Sequence, residues 1–267
     1  MKRILTILAA FLALCSCCCT PKLVILHTND THSHLEPYRA GARGGHGGII
    51  ERAAFVDSVR NAVGESKVLL LHAGDMGQGS SYFTEFNGEL EIDMVNALRY
   101  DCITLGNHEF DNGLEDLGKR LSRINCPVVC ANLDLSTFEA GKYVTPYTVI
   151  EKGGMKIGII GFSPNLNGCV SKTTADRIPQ FDRVEVGNRY ASELKNMKCD
   201  LIIALSHMGY NFDQEFIGRT RNIDILVGGH SHTFMDDFTY VKNLDGKKIP
   251  IIQDGCHGLD MGEIKVY

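Results

Sequence analysis

The chain has 267 residues, of which 44% are hydrophobic and 22% charged, the proportions of one large globular domain or two small ones. That composition excludes a disordered tail, a collagen-like repeat and a polytopic membrane protein. A formal charge of −5 argues against a basic nucleic-acid surface.

The chain opens Met1-Lys2-Arg3 and continues with an apolar stretch from Ile4 to Leu14. This is the charge and length pattern of a secretory leader, and it falls short of the ~20 residues that a membrane-spanning helix needs. Next comes Leu14-Cys15-Ser16-Cys17, which resembles a bacterial lipobox. The resemblance implies cleavage before Cys17, lipid attachment to its sulfur and new amino group, and lasting membrane anchorage through more than one acyl chain. The expected organisation is a signal peptide over 1–16, a lipid-anchored tether over 17–21 and a single domain over 22–267. The protein is thus expected to be exported to the bacterial cell envelope, in the periplasm or at the surface. Of the ten cysteines, Cys102, Cys126, Cys130, Cys169, Cys199 and Cys256 lie beyond the leader. Their scattered spacing reads as free thiols, not as a disulfide framework.

Strands are predicted at Lys22–His27, Lys67–His72, Asp101–Leu105, Pro127–Ala131, Leu201–Leu205 and Ile223–Val227. Helices are predicted at Ile49–Val63, Glu89–Leu98, Leu114–Ile124, Gly187–Met197 and Phe212–Arg221. Tyr147–Glu151 and Lys156–Ile160, joined at Gly153-Gly154, predict a hairpin. Short strands follow near Thr239, Ile249 and Ile264. Arg39–Gly48 is Gly-rich, lacks a dinucleotide fingerprint and reads as a loop. Alternation of this kind predicts an α/β fold with buried sheets, and the hairpin and final strands predict mixed pairing.

Polar residues cluster where strands end. Thr28-Asn29-Asp30-Thr31-His32 follows the first strand, and Ala73-Gly74-Asp75 the second. Gly106-Asn107-His108-Glu109 follows the third. Ser206-His207 and Gly228-Gly229-His230-Ser231-His232 close two later ones. One Asp after a strand is ordinarily a turn or cap residue. Five such ends in succession point to one site at the carboxyl edge of the sheets. Imidazole with carboxylate suits Zn, Mn or Fe over Ca or Mg. Seven candidate ligands exceed the needs of one tetrahedral ion and fit two ions ~3.5–4 Å apart sharing a carboxylate. Such a pair acidifies a bridging water and neutralises a phosphoryl group.

These segments resemble the metallophosphatase domain of the 5′-nucleotidase family, within the calcineurin-like phosphoesterases. The resemblance rests on His27–Pro37 (HTNDTHSHLEP), Ala73–Asp75, Gly106–Gly113 (GNHEFDNG), Ala131–Asp134 (ANLD), Leu205–Gly209 (LSHMG) and Gly228–His232 (GGHSH). It implies a four-layer α/β/β/α sandwich of two mixed sheets flanked by helices. It implies that Asp30, His32 and His232 hold one divalent metal ion, Asn107, His207 and His230 a second, and that Asp75 bridges them. His108 would approach the substrate phosphate and protonate the leaving oxygen, Asp111 would orient His108, and Asn107 would also touch a phosphate oxygen. The implied reaction is hydrolysis of a phosphate ester, a nucleotide, by a metal-bridging hydroxide. A phosphodiesterase, a nucleotide-sugar pyrophosphatase and a more distant sulfur-ester hydrolase are alternatives on the same site. A non-catalytic surface lipoprotein is the alternative of another class.

Other histidines take plainer readings: His27 and His72 as core or supporting groups, His34 as loop support, His46 as part of the Gly-rich loop, and His257 as near the terminal strands. Full-length members of the family carry a C-terminal domain that grips base and ribose. The segment Gly255–Tyr267 (GCHGLDMGEIKVY) resembles the last strands of the phosphatase domain, so the expectation is that a separate chain supplies the grip.

Overall fold

A computed structural model describes residues 20–267; the leader and the expected lipid acceptor Cys17 lie outside the described residues. Two six-stranded sheets face each other. The first holds β1 (Leu23–Thr28), β2 (Val68–His72), β3 (Cys102–Thr104), β4 (Val128–Val129), β5 (Val144–Thr145) and β12 (Gly262–Val266), in the order β12-β1-β2-β3-β4-β5. The second holds β6 (Tyr147–Lys152), β7 (Met155–Phe162), β8 (Leu201–Ser206), β9 (Ile225–Val227), β10 (Thr239–Lys242) and β11 (Lys248–Ile252), in the order β10-β11-β9-β8-β7-β6. Pairing is parallel except for β1–β12, β6–β7 and β10–β11, so both sheets are mixed.

The central strands are apolar up to their carboxyl ends, where His27, Thr28, His72, Thr104 and Ser206 stand, because both faces are covered. Side chains alternate along a strand, and the core divides accordingly. Leu23, Ile25, Leu69 and Leu71 pack between the sheets against Ile157, Ile159, Ile203 and Leu205. Val24, Leu26, Val68 and Leu70 face outward to helices α1 (Ile49–Val63), α3 (Glu89–Leu98) and α4 (Gly113–Leu121). Ile202, Ala204 and Leu226 face α6 (Arg183–Asn196) and α7 (Tyr210–Gly218). Three apolar layers therefore separate four structural layers, and the α/β/β/α sandwich is present.

Two helices follow their predicted limits, α1 and α3. Helix α6 starts four residues before the predicted Gly187 because Asp182 caps it, accepting a hydrogen bond from the Glu185 amide. Gly187 sits inside this helix for contact: a Cβ there would lie 2.8 Å from the Phe216 ring. Two short helices, α2 (Ser81–Phe86) and α5 (Lys172–Ala175), and the two-residue strand β5 have no sequence counterpart; each is too brief to show a period. All six cysteines beyond the leader are free, with Cys126 and Cys169 only partly buried. No helix among the described residues is long and apolar enough to cross a membrane.

Candidate metal centre

The parallel register fixes which loops meet. Thr28 pairs with His72 and Leu205 with Val227, so the chain segments leaving β1, β2, β8 and β9 emerge side by side, and the loop after β3 joins them. Asp30, His32, Asp75, His230 and His232 all have left-handed backbone, with φ between 45° and 75°. Non-glycine residues in this region are strained by about 1 kcal/mol or more each, and the strain is held by surrounding bonds. The Asp30 amide donates to Gly74 O at 2.9 Å, and the His32 amide to Asp75 O at 3.2 Å. The His230 amide donates to Asp30 Oδ2 at 2.8 Å, and the His108 amide to Asp75 Oδ1 at 2.8 Å. Each turn thus bends a side chain back toward the gap between the sheets.

The donor atoms converge in overlapping groups: Asp30 with His32 and His232, Asp75 with His207 and His230, and Asp75 again with His32 and His108, each within 4.8 Å. Donors at about 2.1 Å around one tetrahedral cation stand about 3.4 Å apart. His232 Nε2 is 3.2 Å from Asp30 Oδ1, His32 Nε2 is 3.0 Å from His232 Nε2, and His207 Nε2 is 2.9 Å from Asp75 Oδ2. Asn107 Oδ1 is buried without a hydrogen-bond partner, and the buried Asp30 Oδ1 and His207 Nε2 meet only other candidate ligands, His232 and Asp75. Leaving a buried amide oxygen unpaired costs about 1–3 kcal/mol, and a cation among these atoms removes that cost. The residues present therefore fit a divalent metal pair, with Asp75 placed to reach both positions. His207 Nδ1 donates to Ala73 O at 2.5 Å, which turns the Nε2 lone pair inward.

Without a metal the site holds protons. Burial disfavours the cation of His207, but Asp75 and Asp30 outweigh it and raise its pKa to about 10. The hydrogen bond to Asp30 likewise raises His232 to about 10. Burial alone would raise the Asp30 carboxyl, yet the His207, His232 and His32 imidazoles hold it well below the ordinary carboxylate range. Positive charge between the two sheets is what this carboxylate pair selects.

Residues 23–234 match the family described as calcineurin-like phosphoesterase. The chain belongs to this family. Among curated proteins it is 33% identical to a snake venom 5′-nucleotidase from Gloydius brevicauda, over 92% of this chain and 45% of that protein. It is 34% identical to a 5′-nucleotidase from Homo sapiens, over 92% of this chain and 46% of the relative. A solved 5′-nucleotidase precursor from Thermus thermophilus superposes with a TM-score of 0.82 at 32% identity, covering 90% of this chain and 50% of the other. The chain thus spans about half the length of the curated relatives it matches.

In this calcineurin-like phosphoesterase the half-buried His108 stands at the mouth of the centre, its Nδ1 2.8 Å from Asp111 Oδ2. That bond is the main reason its pKa is raised. His108 is edge-on to His32, with ring centroids 5.3 Å apart. All nine metal and catalytic residues expected from the sequence are brought to this one place.

Sequence reasoning missed several supports. Glu109 is fully buried and accepts the amides of Asp75 at 3.0 Å, Met76 at 2.8 Å and Gly106 at 2.6 Å. It clamps the loop after β2 to the loop after β3, and Arg120 donates to its carbonyl at 2.5 Å. The only signal was its place inside GNHEFDNG, next to better candidates. His34 and His257 also stand in the cleft of about 450 Å³ that holds His32, Asn107, His108, His230 and His232. His257 is close to the terminal strands in sequence but its ring reaches the centre. Burial lowers the pKa of His34 and takes His257 down to about 4. A second cavity of about 520 Å³, between α1 and β12, is lined by the buried His27–Asp254 pair and holds none of the convergent donors.

Proposed function

We propose that this chain is a dinuclear-metal phosphomonoesterase acting on nucleotides, with the chemistry of a 5′-nucleotidase. Asp30, His32 and His232 would hold one ion, Asn107, His207 and His230 the other, with Asp75 shared. Mixed imidazole and carboxylate donors favour Zn, Mn or Fe. The bound pair would supply Lewis acidity and an activated water for in-line attack at phosphorus. The chain's own groups do the rest. His108, held by Asp111, places a proton at the leaving oxygen, and the Asn107 amide contacts a phosphoryl oxygen. The observation that carries this reading is the convergence of buried ligand atoms, Asn107 Oδ1 with no hydrogen-bond partner and Asp30 Oδ1 and His207 Nε2 facing only other candidate ligands, beside a His108–Asp111 pair that a binding protein has no use for.

The nucleotide preference is supported by the 5′-nucleotidases that the chain resembles. Those relatives are about twice as long, so the substrate grip is proposed to be completed by a further domain. Export and a lipid anchor on Cys17 are proposed from the leader and its lipobox-like segment. The decisive experiment strips metal from the purified protein, restores Mn or Zn, and measures phosphate release from 5′-AMP against cleavage of a small activated phosphodiester. Metal-dependent release from AMP supports the proposal. Cleavage of the diester but of neither 5′-AMP nor the small monoester phenyl phosphate assigns the site to a phosphodiesterase, and no cleavage of any of the three assigns the chain to ligand binding.

A further inference from the structure

We propose that the stacked His34–His257 pair, resting on the phosphoesterase reading above, binds the hydroxyl-bearing leaving group of the ester, His34 accepting a hydrogen bond and His257 donating one. The ligand class is a sugar with adjacent hydroxyls, as on a ribosyl group. The chain would then carry part of its own substrate grip, beside the metal centre and outside the expected catalytic set.

The pair is built, not incidental. The rings lie parallel, centroids 3.8 Å apart at 16°. His34 Nδ1 is 3.0 Å from His32 O; a carbonyl only accepts, so Nδ1 carries the proton and Nε2 keeps its lone pair. The Tyr38 hydroxyl meets His257 Nδ1. With that hydroxyl donating, the His257 proton sits on Nε2. Neither Nε2 has a hydrogen-bond partner among the described residues. One free acceptor and one free donor, stacked at van der Waals separation, match two neighbouring hydroxyls, each of which can donate and accept.

The pair is also rigid and near the reaction. His257 has left-handed backbone, φ 63°, between Gly255 and Gly258 at φ 64° and 59°. Its amide donates to Asp30 O at 2.6 Å, tying it to the chain of a proposed metal ligand. Its ring is edge-on to His32 at 5.8 Å and His232 at 6.2 Å. A phosphoryl group over the centre therefore leaves its sugar within one residue's reach of both imidazoles.

The competing explanation is that the pair only buttresses His32 and His232. The variants His257→Phe, which keeps an aromatic ring and removes both nitrogens, and Tyr38→Phe, which releases the tautomer, separate the two. The readouts are the ratio of kcat/KM for 5′-AMP to that for phenyl phosphate, metal content per chain, and calorimetric binding of adenosine, the leaving group itself. We expect His257→Phe to lower the ratio about tenfold, the effect of one lost hydrogen bond that strands its partner. Tyr38→Phe should lower it less, and metal content should match the wild type in both. Adenosine affinity should fall with the ratio. An unchanged ratio, or a loss that tracks lost metal, overturns the inference. If the wild type cleaves neither ester, the phosphoesterase reading fails by itself. Adenosine binding then decides the pair: binding weakened in His257→Phe upholds it, and absent or equal binding refutes it.

Discussion

At His108 two chemical demands meet in one ring. In the proposed role its Nε2 would deliver a proton, which requires its Nδ1 to be held, and Asp111 Oδ2 lies 2.8 Å from that nitrogen. His108 does offer a donor beside His32 and Asp75, but the proposed assignment fills both metal positions from the other seven residues without it. Replacing His108 by Ala should therefore lower kcat by about 10²–10⁴ with metal content near two ions per chain. Asp111→Asn should cost less, since the ring remains and only its orientation and charge stabilisation weaken. Steady-state kinetics with parallel metal analysis checks both; an unchanged turnover in His108→Ala removes its assigned role. Gly106 is a different kind of residue-scale constraint. A Cβ at this position would lie 2.2 Å from Asp75 Oδ1, inside any van der Waals contact, so the Asp75 carboxylate must move. Gly106→Ala should reduce metal affinity at least tenfold while the far-ultraviolet circular dichroism stays that of the wild type. Retained affinity would mean that the loop relaxes without cost.

Among the elements, α7 carries an uncommon burden. Asp213, fully buried on this helix, accepts from Ser206 Oγ at 2.5 Å, while its Oδ2 has no partner. Burial raises its pKa from 3.8 to about 7. The folded protein thus keeps a proton that the unfolded chain releases. The associated stability is fully present below about pH 4 and is lost as pH rises toward 7. Asp213→Asn has no such titration, so its Tm relative to the wild type should improve from pH 4.5 to about 7 and level off above; parallel curves would contradict the buried acid. Elements of this kind show what a sequence can and cannot display. The strands were legible because full burial on both faces writes a continuous apolar run such as Leu23–Leu26. The polar ends were legible because metal donors belong to few residue types. The left-handed turns at Asp30 and His232 were not, since nothing in an Asp or His side chain announces φ. Nor were the buried arginines. Arg60 leaves α1 to donate to Leu98 O and Arg99 O at 2.9 Å each, satisfying carbonyls at the end of α3, a contact that depends on the two helices having already met. His34 and His257 were hidden for the same reason: they are 223 positions apart in the sequence, and only the fold stacks them.

Over the whole molecule, the candidate centre is the seam between two sheets. Asp30, Asp75 and Asn107 leave the first sheet, whereas His207, His230 and His232 leave the second. Between the sheets lies an apolar layer that holds them without direction, since burial of Leu and Ile specifies contact but not lateral register. The donors add the direction. Metal bound across the seam would tie the sheets at one edge, and its binding energy would then also be energy of sheet-on-sheet packing. A ligand that binds only the folded state at 1,000 times its Kd stabilises by about 4 kcal/mol, and each kcal/mol moves the Tm of a domain this size by roughly 2–4 °C. Chelation should therefore lower Tm by roughly 10 °C, and readdition of Zn or Mn should restore it. Hydrogen exchange should locate the loosening at β1, β2, β8 and β9 before the outer helices, because those strands feed the donor loops. A chelated protein, shown to be metal-free, that keeps its Tm and exchange pattern would mean that the seam closes on protons alone, with His207 and His232 as the cations between Asp30 and Asp75.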